Sequence, residues 1–374
     1  MDKVESDDVV RENRPVLALT LGDPCGVGPE IVATGITRAQ TLSLCRPIAV
    51  GSAEILREAV ELWRIPAEVV SVDTVEEAVT LARSDDPAKS PSIHRILCVR
   101  SGPSFAIGCI RKGELPAGEI DARGGDAAFR AVQTAAQSAL DGLTDGIVTA
   151  PLHKAAMHLA GHDYPGHTEL LAQMCGVTDF AMMLYLGHDA VVRPPHGLAV
   201  VHVTLHTAMR NVFREMTGEA IREKTSLVAH FMRRMGCERP RIAVCALNCH
   251  NGEGGLFGDE ERTTIRPAVE RSVREGLEVT GPLSVDTIFV HARDGHYDAV
   301  VAMYHDQGHI ALKLIGMHRA VNVTLGLPIV RTSVAHGTAF DRAWRGPESG
   351  VQIGSIMEAI RCAAKLATTG STRR

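Results

Sequence analysis

The stretch from Met303 to Lys313 combines an imidazole, a carboxylate and an amine at a predicted strand-to-helix junction. His305 and Asp306 follow the apolar run Asp298–Met303, which is typical of a buried parallel strand, and Lys313 stands further along the predicted helix. In open α/β sheets, ligands bind in the crevice beyond the carboxyl ends of the strands. These three side chains are therefore predicted to stand near a functional site.

Three histidines, His206, His250 and His305, each follow an apolar run that is predicted to be a strand. Neutral imidazoles are the commonest metal ligands, and three of them with open positions suit a divalent ion that polarises a substrate oxygen. Any one of these histidines alone would more often have a core or surface role, but their shared placement favours a metal site. His202 lies within a strand pattern and is interpreted as structural.

Two segments carry groups that could hold an anionic substrate. The segment Gly166–Glu169 presents His167 and Thr168 in a loop and helix-start setting, and Arg331 stands among hydroxyl side chains. Imidazole, hydroxyl and guanidinium groups all donate to phosphate or carboxylate. The alternatives are an exposed polar segment with a helix-capping threonine, and a structural ion pair of the arginine. The Gly-rich turn at residues 22–30 fits a ligand loop and a plain strand-to-helix turn equally well.

Length, charge and cysteine usage limit the class of protein. The 374 residues predict two domains, and a net charge of −5 with interspersed signs favours small-molecule partners over nucleic acid or anionic membranes. Nine scattered cysteines without a Cys-x-x-Cys pair argue against a disulfide framework and indicate a reducing cytoplasm. The acidic N-terminus and the lack of a long apolar run predict neither export nor a membrane span. Residues 1–14 are predicted to be a mobile tail.

Short apolar runs alternate with longer helical patterns from Pro15 onward. The predicted strands are Val16–Leu21, Pro47–Val50, Ile96–Val99, Gly146–Thr149, Leu198–Val203, Arg241–Leu247 and Asp298–Met303. The predicted helices are Asp126–Leu140, Glu219–Met235 and Asp259–Glu275. This alternation is typical of βαβ units and predicts an α/β fold with a largely parallel sheet.

The chain resembles the 4-hydroxythreonine-4-phosphate dehydrogenase family of vitamin B6 biosynthesis from about Pro15 to Gly346. Five motifs carry the resemblance in order: Gly22-Asp23-Pro24 through Pro29-Glu30, Thr149-Ala150-Pro151 through Lys154, Gly166-His167-Thr168-Glu169, Tyr304-His305-Asp306-Gln307-Gly308 through Lys313, and Asn322 through Thr338. The first motif and the segment His336–Asp341 are also similar to the isocitrate and isopropylmalate dehydrogenase superfamily, the second to its cofactor-binding loop.

The resemblance implies two α/β/α domains with a cleft between them, and an active site in the cleft of a homodimer. Residues 15–150 and 325–374 would form the first domain, which carries the cofactor loop. Residues 151–324 would form the second domain, with the metal site and the dimer interface.

The resemblance also assigns roles to individual residues. One divalent ion (Zn, Co or Mg) would bind His206, His250 and His305, with one ligand supplied across the dimer interface. Substrate would bind His167, Thr168, Lys313, Asn322 and Arg331; NAD would bind His336, Gly337, Thr338 and Asp341. Lys313 would transfer a proton or hold phosphate, and Asp306 would orient a ligand or donor.

The implied reaction is oxidation of a hydroxyl in a 4-phosphorylated 3-hydroxy acid, followed by decarboxylation of the resulting 3-keto acid. The chain departs from the usual family pattern at Cys249, Asn251, Ala335 and Trp344. Two alternatives remain. One is the subgroup that oxidises D-threonate or D-erythronate 4-phosphate in sugar-acid catabolism, which the segments 164–171 and 305–310 resemble more closely. The other is a binding paralogue that has lost turnover.

Overall fold

The computed structural model describes residues 14–84, 94–164 and 166–370, and these form two compact units. The first unit contains the described residues up to Thr178 and those from Leu327 onward, and the second unit is Asp179–Gly326. The predicted mobile tail lies outside the described residues except for Arg14. No helix in the described part of the chain is long and apolar enough to cross a membrane.

The sheet of the first unit has six parallel strands in the order β3-β4-β2-β1-β5-β12. They are β1 (Val16–Thr20), β2 (Arg46–Gly51), β3 (Ala67–Val72), β4 (His94–Arg100), β5 (Gly146–Thr149) and β12 (Arg331–Val334). All residues of β1 and β5 are buried, so both faces of the sheet centre are covered. Continuous apolar runs are the expected sequence of such strands.

Helices of the first unit are α1 (Gly28–Ile36), α2 (Ala39–Leu44), α3 (Ala53–Leu62), α4 (Val75–Ser84), α5 (Ala122–Leu140), α6 (Lys154–Leu159), α7 (His167–Cys175) and α13 (Gly354–Gly370). A short 3₁₀ helix lies at Gly346–Ser349. The N-terminus of α5 is capped by Asp121, whose carboxylate accepts a hydrogen bond from the backbone of Arg123. Phe129 and Val132 of α5 join the apolar core that covers Val16 and Ala18 of β1.

The second unit has six strands in the order β11-β6-β7-β10-β8-β9. They are β6 (Ala181–Leu186), β7 (Leu198–His202), β8 (Ile242–Cys245), β9 (Val279–Leu283), β10 (Ala299–Ala302) and β11 (Val321–Leu325). Strand β6 is antiparallel to β7 and β11, while β7, β10, β8 and β9 pair in parallel. The α/β class predicted from the sequence is confirmed.

Helices of the second unit are α8 (Met209–Glu215), α9 (Gly218–Arg234), α10 (Arg266–Arg274), α11 (Val285–Arg293) and α12 (His305–Gly316), with 3₁₀ segments at Cys249–Gly255 and Met317–Arg319 and a π-helix at Glu261–Ile265. Gln307 ties the first turn of α12 to the sheet. Its side chain accepts a hydrogen bond from the backbone N–H of Met303 (2.6 Å) and donates one to the carbonyl oxygen of Ala246 (2.9 Å). The start of α12 is therefore fixed against the ends of β10 and β8.

The segment 151–178 belongs to the first unit, whereas the sequence placed the boundary at residue 150. Close packing on α5 explains this position. Gly125 faces the backbone of Ala156 with no room for a Cβ atom, and the ring of His162 stacks on Phe129 with centroids 3.7 Å apart. The same imidazole lies 2.8 Å from a carboxylate oxygen of Asp126.

Candidate active site

His206 and His305 lie side by side in the second unit, beyond the ends of β7 and β10. Their ring centroids are 5.9 Å apart. His305 is the first residue of α12, and its Nδ1 lies 2.6 Å from a carboxylate oxygen of Asp306. If Nδ1 donates to this carboxylate, Nε2 keeps its lone pair for a metal ion, which is the usual orientation of ligating histidines. The pair therefore fits two ligands of one divalent ion.

His250 is exposed in a segment that follows β8. The backbone from His250 to Gly254 has positive φ throughout, including φ of 49° at His250 and 59° at Asn251. Nearby, Leu256 and Phe257 are 73% and 48% exposed. Within the described ranges, no group of three or more His, Cys, Asp or Glu side chains is arranged to hold a metal ion. The predicted set of three is therefore not assembled within one chain.

A buried imidazole pair, His202 and His309, lies against the same site. Nδ1 of His309 is 3.0 Å from Nε2 of His202, and the ring of His309 stacks on His305 with centroids 3.8 Å apart. Burial lowers the pKa of His309 to about 4 and lowers that of His202 well below its usual value. Sequence reasoning missed His309. The four-residue spacing of His305 and His309 on a predicted helix could have indicated that their side chains are neighbours.

Lys313 and Asn322 are the two substrate candidates of the second unit. Lys313 follows His309 by four residues on α12, and its positive charge contributes to the low pKa of that histidine. Asn322 lies in β11, and its side-chain Oδ1 is buried without a hydrogen-bond partner among the described residues. A buried acceptor without a partner is costly, and a donor group on a ligand would satisfy it.

In the first unit, the buried side chain of Arg331 lies near His167. Arg331 is 1% exposed at the start of β12, and its guanidinium donates to Oγ1 of Thr149 at the end of β5 (2.9 Å). Burial lowers the pKa of Arg331 to about 10. Burial and the charge of Arg331 lower the pKa of His167 well below its usual value, and Nε2 of this histidine has no hydrogen-bond partner in the described structure. The charge of Glu169 opposes the fall in the pKa of Arg331, and an anionic ligand would act in the same direction.

The Gly-rich turn contacts the predicted cofactor loop within the first unit. The backbone N–H of Val27 donates to the carbonyl oxygen of Thr338 (3.0 Å), and a Cβ atom at Gly26 would lie 2.8 Å from that oxygen. Thr338 is buried, whereas Gly337 and Asp341 are exposed, and His336 bonds the neighbouring carbonyl of Gly337 (2.9 Å). Two segments that are distant in sequence thus pack together, with the turn buried and Gly337 exposed on the loop.

Trp344, one of the departures from the family pattern, is held by the Gly-rich turn and α1. Its indole Nε1 donates to the carbonyl oxygen of Pro24 (2.7 Å), and its backbone N–H donates to the buried carboxylate of Glu30 (2.6 Å). The same carboxylate accepts hydrogen bonds from Trp63 and Gly346. Burial raises the pKa of Glu30, and these three donors oppose that rise. The tryptophan therefore anchors the end of the cofactor loop.

Asp23, in the Gly-rich turn, is a fully buried carboxylate. Oδ1 accepts a hydrogen bond from the backbone of Cys25 (2.9 Å), whereas Oδ2 is buried without a hydrogen-bond partner among the described residues. Burial raises the pKa of Asp23 to about 6. A raised pKa in the folded state means that this group's stability contribution is present below the unfolded pKa and is lost as the pH rises through 6.

Asp23→Asn is expected to remove this loss of stability, because an amide keeps the bond to Cys25 without carrying a charge. Relative to wild type, the variant should gain about 1.4 kcal/mol in the free energy of unfolding between about pH 5 and about pH 8, because part of the wild-type loss already occurs below pH 5. Urea unfolding at both pH values measures the gain. Asp163→Asn is the matched control, since that side chain is 96% exposed. Equal pH dependence of Asp23→Asn and wild type would show that the charged carboxyl is not penalised by burial.

Both units have a mixed α/β fold; the first carries the buried Arg331 near His167, and the second carries the cluster of histidines. The family model described as "Pyridoxal phosphate biosynthetic protein PdxA" matches residues 43–363. The chain belongs to this family. The resemblance stated from the motifs is thus confirmed, as is the expectation of a dehydrogenase that acts on a CH–OH group, at the level of the family.

Three relatives illustrate the similarity. The chain is 39% identical to D-threonate 4-phosphate dehydrogenase of Pectobacterium atrosepticum, over 89% of this chain and 95% of the relative. It is 40% identical to 4-hydroxythreonine-4-phosphate dehydrogenase of Trichlorobacter lovleyi, over 95% and 98%. The crystal structure of 4-hydroxythreonine-4-phosphate dehydrogenase from Klebsiella pneumoniae matches with a TM-score of 0.74 and 40% identity, over 94% of this chain and 99% of that one.

Proposed function

We propose that the chain oxidises the hydroxyl of a 4-phosphorylated 3-hydroxy acid with NAD and a divalent metal ion, and that decarboxylation follows. The first candidate substrate is 4-phosphooxy-L-threonine. The second is D-threonate or D-erythronate 4-phosphate, because relatives at nearly equal identity carry both kinds of name. The observation that carries the proposal is the buried guanidinium of Arg331 beside His167, which provides a fixed cation for an anionic group.

The anionic group of the substrate would bind to residues of the first unit. Arg331 and His167 would bind phosphate or carboxylate oxygens, and Thr168 would add a hydroxyl donor at the start of α7. The buried Oδ1 of Asn322 would accept a hydrogen bond from a substrate hydroxyl or amine. These groups match an acid that carries both an anionic group and a hydroxyl or amine donor.

His206, His305 and His250 would hold the divalent ion (Zn, Co or Mg), with Asp306 fixing the tautomer of His305. When bound, the ion supplies a Lewis acid for the developing alkoxide and enolate. NAD, held by His336, Gly337, Thr338 and Asp341, supplies the hydride acceptor. Lys313 would then move a proton at the reacting hydroxyl, or hold the phosphate.

The working unit is proposed to be a homodimer. His206 and His305 supply only two ligands, and the exposed His250 would reach the site of the other copy. Ile310, Leu314 and Met317 of the second unit are 58%, 82% and 57% exposed, at spacings that place them on one side of α12 and its 3₁₀ extension. A second copy of the chain would cover this apolar stripe. We also infer a reducing, cytoplasmic location, since all nine cysteines are free thiols.

The test is NAD reduction with a panel of 4-phosphooxy-L-threonine, D-threonate 4-phosphate and D-erythronate 4-phosphate. Each compound is paired with its unphosphorylated form, which should be a much poorer substrate because it leaves the groups that bind the phosphate unpaired. NADP is run in parallel to identify the cofactor. The preferred compound should reduce the dinucleotide only when a divalent ion is present.

No reduction with any phosphorylated acid, together with measurable binding of the same acids, would contradict the proposed reaction. That result would favour the paralogue without turnover. Equal rates with phosphorylated and unphosphorylated acids would instead show that the anion group is not the phosphate site.

A further inference from the structure

Four histidines of the second unit form a continuous chain of ring contacts. His206 is next to His305, His305 stacks face to face on His309 with an interplanar angle of 12°, and His309 bonds to His202. His202 is 1% exposed at the end of β7, and His309 is 7% exposed on α12. The outer rings belong to the proposed metal site, whereas the inner pair lies beneath it and has no role in the proposed reaction.

The backbone makes room for the inner pair. A Cβ atom at Gly308 would lie 2.5 Å from Nε2 of His202, so a side chain at this position would displace the imidazole that bonds to His309. Gln307, on the preceding position, ties α12 to the ends of β10 and β8. His309 is thus hydrogen-bonded to His202 of β7. It also lies on a helix turn that Gln307 fixes against the sheet. Its flat face is the surface on which His305 rests.

We propose that His309, held by His202, is a positioning residue that fixes the ring plane of His305 for metal binding. A stacked ring at 3.8 Å restricts rotation of the His305 side chain about its terminal bond, and Asp306 restricts it from the edge. His305 therefore reaches the metal with its orientation already set, which lowers the entropic cost of binding. This inference rests on the metal-binding role proposed above for His305.

The experiment compares Co²⁺ binding by the purified full-length wild type and two variants of the same residue. His309→Leu removes the stacked ring, whereas His309→Phe keeps a flat ring but no nitrogen. Calorimetry measures the Co²⁺ dissociation constant, and the visible absorption spectrum of bound Co²⁺ reports the coordination geometry. His291→Leu is the matched control, because His291 forms a T-shaped ring pair with His296 in the same unit. Melting temperatures are recorded for every protein.

His309→Leu should weaken Co²⁺ binding by roughly 10- to 100-fold and alter the Co²⁺ spectrum. His309→Phe should recover most of the affinity and the wild-type spectrum, and the control should match wild type. Equal weakening by Leu and Phe would overturn the inference, because it would make His309 a ligand. Unchanged affinity in His309→Leu, even with a lower melting temperature, would also overturn it and leave a purely structural role. A wild type that binds no Co²⁺ would refute the proposed metal site itself, and this inference with it.

Discussion

Arg331→Lys is expected to raise KM for the phosphorylated substrate by about 10- to 150-fold, or roughly 1.5–3 kcal/mol, with little change in kcat. Arg331 is buried at the start of β12 and already uses one guanidinium nitrogen to bond Thr149. A planar guanidinium binds an anion through paired donors in a fixed geometry, whereas a lysine has a single ammonium on a flexible stem. Retaining the charge should therefore not retain the binding. Steady-state kinetics with the best substrate of the panel measure the change.

Arg361→Lys is the matched control for this substitution. Arg361 lies on α13 of the same unit and pairs with Glu358, but its side chain is 44% exposed. Its replacement should leave both kinetic constants at wild-type values. If Arg331→Lys also behaves as wild type, the anionic group of the substrate binds elsewhere.

Loss of any one of His206, His250 and His305 is expected to lower metal-dependent turnover by roughly a thousandfold or more, since several kcal/mol of charge stabilisation are lost. Folding should be largely retained, because His250 is exposed and His305 is half-buried. Metal analysis and activity measurements on the three Ala variants test this expectation. Normal metal content and turnover in all three would show that the ligand assignment is wrong.

Mixing inactive subunits tests how the ligands are shared. His206 and His305 are neighbours in one chain, and no third His, Cys, Asp or Glu of the described residues completes a metal site with them. In a heterodimer of His250→Ala and His305→Ala, one of the two sites would have all three histidines. An equal mixture should then recover about one quarter of wild-type activity. A mixture of His206→Ala and His305→Ala should recover none, because every site lacks one ligand of the adjacent pair. Recovery in the second mixture alone would contradict the arrangement.

The strands that carry the site were predictable because they are buried on both faces. The run Gly146–Thr149 was predicted with the bounds that the structure shows, and the predicted strand before His305 is β10. Strand β6, with the sequence AMMLYL, lacks β-branched residues and was missed. The predicted helix Asp259–Glu275 begins instead as a π-helix at Glu261–Ile265. Glu261 turns its carboxylate toward the backbone N–H groups of Leu247 and Asn248, a contact that local periodicity does not reveal.

The sequence indicated which residues belong to the candidate site, but it did not indicate most of the contacts between them. Residue types and strand ends identified Arg331 and His305, but the contact of Arg331 with Thr149 depends on the pairing of β12 with β5. His202 was interpreted as structural, and it is buried in β7 as expected. Its bond to His309 joins β7 to α12 across more than a hundred residues of chain. Such long-range contacts follow from topology, which single-sequence patterns do not determine.

The most direct test of the proposed reaction is the joint measurement of reduced NAD and carbon dioxide from one phosphorylated substrate. Oxidation followed by decarboxylation predicts equal amounts of the two products in the metal-loaded enzyme and neither after chelation. Reduced NAD without carbon dioxide would contradict the decarboxylation, and turnover that persists in the chelated enzyme would contradict the metal site.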